Sequence, residues 1–394
     1  MAEYTEKLRT IASELEPLDW EEEEYVQKLI DVASTFRPFS DAISLFIQGH
    51  GYTGDLGDTE CKIAYISEKF EIEEIVFEKR NIKKWFSEGS RIEKETGYLF
   101  CFAFHLNVEE ANIFFCKVCL LRGIDCHRID EAVYYYCLKN GLKYQTAQAI
   151  ISKIRGIEVE NDYVDIPYTE SILTEIDRMT SIQELIKYLN DNYHAFDINM
   201  VTATKDVREI WEEISAENGL ANREIEEGVL DPIATEEKER RKKLKSRSFW
   251  EIYKQIIGYD NGKIPAIEKN RSIKTFLKDN AVMHKVAEQN FPDKQGLERV
   301  MRGKEVSPER MRKILIFLLF YRFWVSLALE RNSYDKEDSD AASCISIINS
   351  YLLECGYQEL YYGNPFDWIF LFCCFRDGPL SSFREYMDLL KSYT

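Results

Sequence analysis

The chain has 394 residues, 45% of them hydrophobic and 13% aromatic, with only 9 prolines and 18 glycines and a formal net charge of −18. That length exceeds one ordinary core and implies two or three domains. The scarcity of turn residues disfavours a β-sandwich and points to an all-α protein. No apolar run reaches the roughly 18 residues that a membrane span needs, because residues 314–329 are interrupted by Arg322. No basic stretch precedes an apolar one at the N-terminus, so no signal peptide is expected. The ten cysteines (Cys61, Cys101, Cys116, Cys119, Cys126, Cys137, Cys344, Cys355, Cys373 and Cys374) mostly lie within apolar blocks as small hydrophobes. That usage predicts a reduced, cytoplasmic chain, and no cofactor is expected.

Charge is unevenly distributed. Residues 238–322 carry a net +12, leaving −30 for the remainder. Seven of the ten residues 238–247 are basic, among them Arg240, Arg241, Lys242 and Lys243. A basic block in an acidic chain points to a polyanionic partner, with double-stranded DNA as the first choice.

Residues 1–35 read as two helices that form an N-terminal arm packed on the neighbouring module. Residues 36–157 form this first helical module. Within it, residues 80–89 make a short helix closed by Gly89, residues 96–106 are strongly apolar, and Asn107 caps a helix over 108–121 with Glu109 and Glu110 in its first turn. Asp130 is expected to cap a block over 131–139 that Gly141 closes, and residues 144–154 make the last helix. The middle segment, 158–262, holds amphipathic helices over 172–179, 182–193 and 206–215. An acidic linker over 217–237 comes next, and then the basic run. Residues 263–394 make a second module, with helices over 272–280, 282–289 and 294–301, the last closed by Gly303. Pro308 opens a long apolar helix, since its missing N–H costs nothing there. A helix over 341–353, a block capped by Asp367 and closed by Gly378, and a final helix over 382–390 complete it.

The order of parts repeats. Residues 107–121 fall on 339–353 at an offset of 232, residues 130–154 on 367–391 at 237, and Gly89 on Gly303 at 214. The chain thus reads as two related modules, an internal duplication rather than a solenoid, with the loop between the aligned helices five residues longer in the second copy.

Residues 286–315 bring an apolar-Ala pair (Val286, Ala287), a turn, a short helix closed by Gly303 and a Ser307-Pro308-Glu309 start. This order resembles lambda-repressor-like, Cro-type helix-turn-helix domains over about residues 270–330. The resemblance implies a recognition helix over 293–302 whose N-terminal side chains face the major groove. Lys294, Gln295, Arg299, Arg302 and Lys304 then become the candidate contacts to phosphates or base edges. The first module carries a fainter version around Arg80, Asn81, Lys83, Lys84 and Trp85. It has no proline after Gly89, and six basic residues balance six acidic ones over 61–90. It is expected to be a remnant used in packing or partner binding.

Other chemistry fits less well. Cys116, Cys119, Cys126 and His127 could supply four zinc ligands, but the first two sit mid-helix among apolar residues. Arg122 and His127 have a spacing that resembles the motif of HEPN-type helical ribonucleases, but the motif lies in a loop. Asp58, Glu60 and Lys62 are a fragment of a nuclease-like pattern without a strand beneath it. His50, His105, His194 and His284 are isolated. The leading expectation is a non-enzymatic DNA-binding regulator that uses 238–322. A protein-interaction scaffold or homo-oligomer with a vestigial helix-turn-helix comes second, and a helical ribonuclease third.

Overall fold

The computed structural model describes residues 6–11, 36–87, 92–154, 169–193, 196, 201–226, 247–258, 294–331 and 336–391. Among these residues every element is a helix and none is a strand, so the protein is all-α. None of the described helices is long and apolar enough to cross a membrane. The chain divides into two compact units, the first Arg37–Val201 and the second Met1–Phe36 together with Thr202–Thr394.

The first unit contains α1 (Phe39–Gly49), α2 (Thr59–Ile72), α3 (Lys79–Ser87), α4 (Lys94–Ala103) and α5 (Val108–Ile113). A π-helical segment, Phe114–Cys119, continues α5, and α6 (Ile129–Lys139), α7 (Tyr144–Ile151), α8 (Thr169–Arg178) and α9 (Ile182–Asp191) complete the unit. The middle stretch expected over 158–262 is divided: Ile172, Ile176, Leu185 and Leu189 of α8 and α9 join the first unit's core. Its centre is α4, in which Tyr98, Phe100, Cys101, Phe102 and Ala103 are all buried. A helix apolar on every side belongs in an interior. Gly97 lets the π segment approach, because a Cβ there would lie 2.5 Å from the Phe115 ring. Phe100 stacks on Phe104 and Phe114 at 5.6 Å from each, so the aromatics of this unit interlock in its core.

The second unit holds α10 (Val201–Ser215), α11 (Leu220–Glu226), α12 (Phe249–Ile257), α13 (Lys294–Met301), α14 (Pro308–Arg331), α15 (Asp338–Glu354), α16 (Pro365–Phe375) and α17 (Pro379–Lys391). Pro308 opens α14 as the sequence implies, with the Ser307 hydroxyl accepting from the Arg310 amide at 3.3 Å. From Ile314 to Tyr321 every residue of α14 is buried, which makes it the axis of this unit. The described part of the N-terminal arm packs in this unit, not on the module next to it in sequence. Leu8 is buried, its carbonyl accepts from the Trp368 indole at 3.4 Å, and Phe36 meets Trp368 edge to face.

Several expectations need correction. The acidic stretch 217–237 reads as linker, yet Leu220–Glu226 is a helix with Glu224 buried. Arg384 at 2.8 Å, the Gln255 amide at 2.7 Å and the Tyr321 hydroxyl all converge on that carboxylate, so this one acid of the stretch belongs to an interior ion pair, while residues 227–237 lie outside the described residues. Asp130 and Asp367 are not the N-caps that their positions suggest. Instead α6 starts at Ile129 after Arg128, whose side chain makes no cap bond, and α16 is capped by Asn364, which accepts from the Phe366 amide at 3.0 Å. Gly141 has the expected left-handed φ of +62°, whereas Gly378 is not among the left-handed glycines and precedes α17. The helices expected within 12–35, 272–280 and 282–289, and Gly89, lie outside the described residues.

Candidate nucleic-acid interface

Helix α13 presents a polar face on an apolar mount. Leu297 and Val300, three apart and fully buried, seat it against α14 together with Val306 and Met311. Gly303, at φ +70°, ends it: its amide donates to the Val300 carbonyl at 3.0 Å and the Lys304 amide to Arg299 at 2.8 Å. Arg208, from α10, donates through Nε and Nη2 to that same Val300 carbonyl, both at 3.2 Å, and so fixes the C-terminal end of α13.

Of the predicted contacts, Gln295, Arg299, Arg302 and Lys304 are all exposed and share this end of the unit, and Lys294 heads the helix. Among the described side chains, Arg299 and Arg302 have intramolecular partners. Arg299 donates to the Glu305 carbonyl at 3.1 and 2.7 Å, tying down the loop after α13, and Arg302 lies 4.0 Å from Glu298. Arg240, Arg241, Lys242 and Lys243 lie outside the described residues. Some of the basic excess is internal. Arg247 donates to the Ala221 carbonyl at 3.3 Å and the Asn222 side chain at 3.2 Å, and Arg312 is buried.

Arg312 belongs to an arrangement that both units contain. Its two terminal nitrogens grip Asp367, at 2.7 and 2.8 Å, and Nη2 also donates to the carbonyls of Gln358 and Glu359. Asp367 accepts the Tyr361 amide, six residues earlier, at 3.0 Å, and Asn349 of α15 accepts the Leu360 amide at 2.9 Å. In the first unit Lys94 donates to the carbonyls of Arg122 and Gly123 at 2.5 and 2.6 Å and lies 3.6 Å from Glu131. Glu131 accepts the Asp125 amide, six residues earlier, at 2.9 Å, and Asn112 accepts the Ile124 amide at 2.8 Å. Each unit thus latches a loop between a cation on its central helix, an acid in the first turn of the next helix and an asparagine on the helix before.

These bonds align Asn112 with Asn349 at an offset of 237, but Ile124, Asp125 and Glu131 with Leu360, Tyr361 and Asp367 at 236. The expected offset of 232 before the loop is therefore corrected, and the partner of Asp367 is Glu131 rather than Asp130. The second loop has not grown by five; α15 simply begins earlier. One residue is extra in the first unit, and the π segment holds it. The Leu121 amide reaches back six residues to Phe115 at 2.9 Å, where the Tyr357 amide reaches back five to Leu352 at 2.7 Å. Leu120 and Gly356, one residue before, are both left-handed, at φ +55° and +74°. Gly356→Ala should cost about 1–2 kcal/mol in urea unfolding, because a side chain is strained in that conformation.

The remaining candidates have structural partners. Arg122 is paired with Asp125 and with Glu131 at 2.9 Å, and the His127 ring is 3.2 Å from Asp125. Burial would raise the Asp125 carboxyl, but the His127 hydrogen bonds and the Arg122 charge outweigh it and hold it below the ordinary carboxylate range. Lys94 is pushed down by burial, against the pull of Glu131. Cys119 and Cys126 are buried thiols raised well above their usual range, and Cys116 sits in the π segment. No group of three or more metal-ligating side chains is assembled among the described residues. Asp58 is the N-cap of α2, accepting the Cys61 amide at 3.0 Å, and Lys62 donates to the Ser44 hydroxyl at 3.0 Å under the Phe86 ring. The buried pairs of Lys94 with Glu131 and of Arg312 with Asp367 could not be read from sequence, because each looks like an ordinary surface charge until its partner, tens of residues away, is known. No family model, no curated protein and no solved structure matches this chain.

Proposed function

We propose that the protein is an internally duplicated, non-enzymatic regulator that binds double-stranded DNA through the α13 end of its second unit. The observation carrying this reading is the exposed row of Gln295, Arg299, Arg302 and Lys304, mounted on buried Leu297 and Val300 and held by Arg208. The net +12 over 238–322 and the resemblance to Cro-type domains support it. Arg299 both faces the solvent and braces the loop through Glu305, so it orients the face as well as adding charge. Arg302 and Lys304 act as phosphate contacts.

Fluorescence anisotropy with a short labelled duplex, titrated across salt, tests this. Arg302→Ala with Lys304→Ala should weaken binding on every sequence and reduce the slope of log affinity against log salt by about two. A parent protein that fails to bind duplex at low salt, or a slope unmoved by the double substitution, rejects it. The scaffold reading gains from exposed Ile72 at the end of α2 and Val76 in the connection after it, and a protein that binds no DNA leaves it standing.

A further inference from the structure

The matched latches fix which helices of the two units correspond. Upstream of the latch cation, the first unit has α3 where the second has α13. Each is a short helix seated by two buried residues three apart, Ile82 and Trp85 in one, Leu297 and Val300 in the other. The latch cation comes next in the same order, Lys94 twelve residues after Ile82 and Arg312 fifteen after Leu297. The counterpart of the candidate DNA-binding helix is therefore α3, and within the helix bounds it carries more cations, although Arg302 and Lys304 just beyond α13 bring that face to the same number. Over Lys79–Ser87 the sequence is KRNIKKWFS, with four cations and no acid, whereas α13 has two cations and Glu298.

All four of Lys79, Arg80, Lys83 and Lys84 are exposed. The charge balance over 61–90 conceals this, because no acid lies within the helix itself: Glu68 and Glu71 are on α2, Glu73, Glu74 and Glu78 precede α3, and Glu88, the residue after it, lies outside the described residues. Among the described residues, Glu78 and Glu60 approach the face. Glu78 pairs with Arg80, and Glu60 of α2 pairs with Lys83 at 3.2 Å. Every side chain in these pairs is more than half exposed, so water and salt screen the pairing and it opposes a phosphate only weakly. The apolar side of α3 is secured: Trp85 stacks on Phe77 at 5.5 Å and packs against Phe100.

We propose that α3 is a second duplex-binding face, gripping the DNA phosphate backbone through Lys79, Arg80, Lys83 and Lys84, so that one chain carries two DNA contacts. This rests on the phosphate-binding reading of α13. A helix with four cations and no base-reading amide on its surface except Asn81 adds affinity without much sequence preference. Two contacts on one chain raise affinity for a long duplex above that for a short one.

The test compares full-length parent, Lys79→Gln/Arg80→Gln/Lys84→Gln and Arg302→Ala/Lys304→Ala on a long labelled duplex by anisotropy, with circular dichroism confirming the fold. The α3 triple substitution should weaken binding at least about tenfold and lower the salt slope by about three. Hydrogen exchange over residues 79–87 should slow when duplex is added to the parent. If the α3 variant binds like the parent while the α13 variant is impaired, the second face is wrong and the first survives. A parent that binds no duplex overturns both. An impaired α3 variant beside an unaffected α13 variant would keep the α3 face and remove the α13 reading on which its assignment by correspondence was built.

Discussion

Replacing Asp367 by alanine is expected to cost the second unit about 3–5 kcal/mol, because it strands the Arg312 cation in the interior. Arg312 is nearly inaccessible and Asp367 wholly so, and the substitution removes both guanidinium bonds as well as the acceptor for the Tyr361 amide. The carbonyls of Gln358 and Glu359 would remain, but two neutral acceptors do not replace a carboxylate. Arg312→Met combined with Asp367→Leu removes both charges and should recover a large part of the loss, since a buried pair seldom outperforms apolar groups of similar volume. Urea unfolding monitored by circular dichroism measures this. A loss under about 1 kcal/mol for Asp367→Ala would mean that the pair does not hold the loop.

The π segment leads to a second large effect. Deleting one residue inside a packed helix turns everything beyond it by about 100°, and normally destroys the core. Deletion of exposed Ser346 from α15 should therefore abolish cooperative folding of the second unit. Deletion of exposed Lys117 should not do the same to the first, because it brings the Phe115-to-Leu121 reach down to the five-residue spacing already found between Leu352 and Tyr357. Hydrogen exchange of the Ile124 and Asp125 amides is the discriminating readout, since Asn112 and Glu131 hold those two groups. Their protection should stay within about tenfold of the parent in the Lys117 deletion. Equal damage from the two deletions would show that the π turn is not an absorbed insertion.

The helical class was legible because aromatic and cysteine-rich blocks with few breakers have one economical solution, and the Asn107/Glu110 capping box and the Ser307-Pro308 start declared themselves locally. That Asp130 and Glu131 both lie in the first turn of α6, with Glu131 rather than Asp130 gripping the loop, was not legible. An acid that caps a helix and an acid in its first turn satisfy the same sequence signature, and only burial and the loop amide separate them. Helix starts do not mark the register of the repeat either, since the units agree at the asparagine and at the acid while α15 begins earlier. For the candidate site, the exposed residues of α13 were found by charge and motif. Not all of the basic block is open to a partner, since Arg247 and Arg312 serve the interior. The basic face of α3 was hidden by averaging charge along sequence instead of around a helix.

The bond from the Trp368 indole to the Leu8 carbonyl links positions 360 residues apart. At ordinary translation rates of about 5–20 residues per second, the ribosome needs roughly 20–70 s to deliver Trp368 after Leu8 has been made. The first unit, Arg37–Val201, is complete well before then and can mature while the segment preceding it waits. The second unit therefore closes only after Trp368 has been made, long after its own N-terminal segment has left the ribosome.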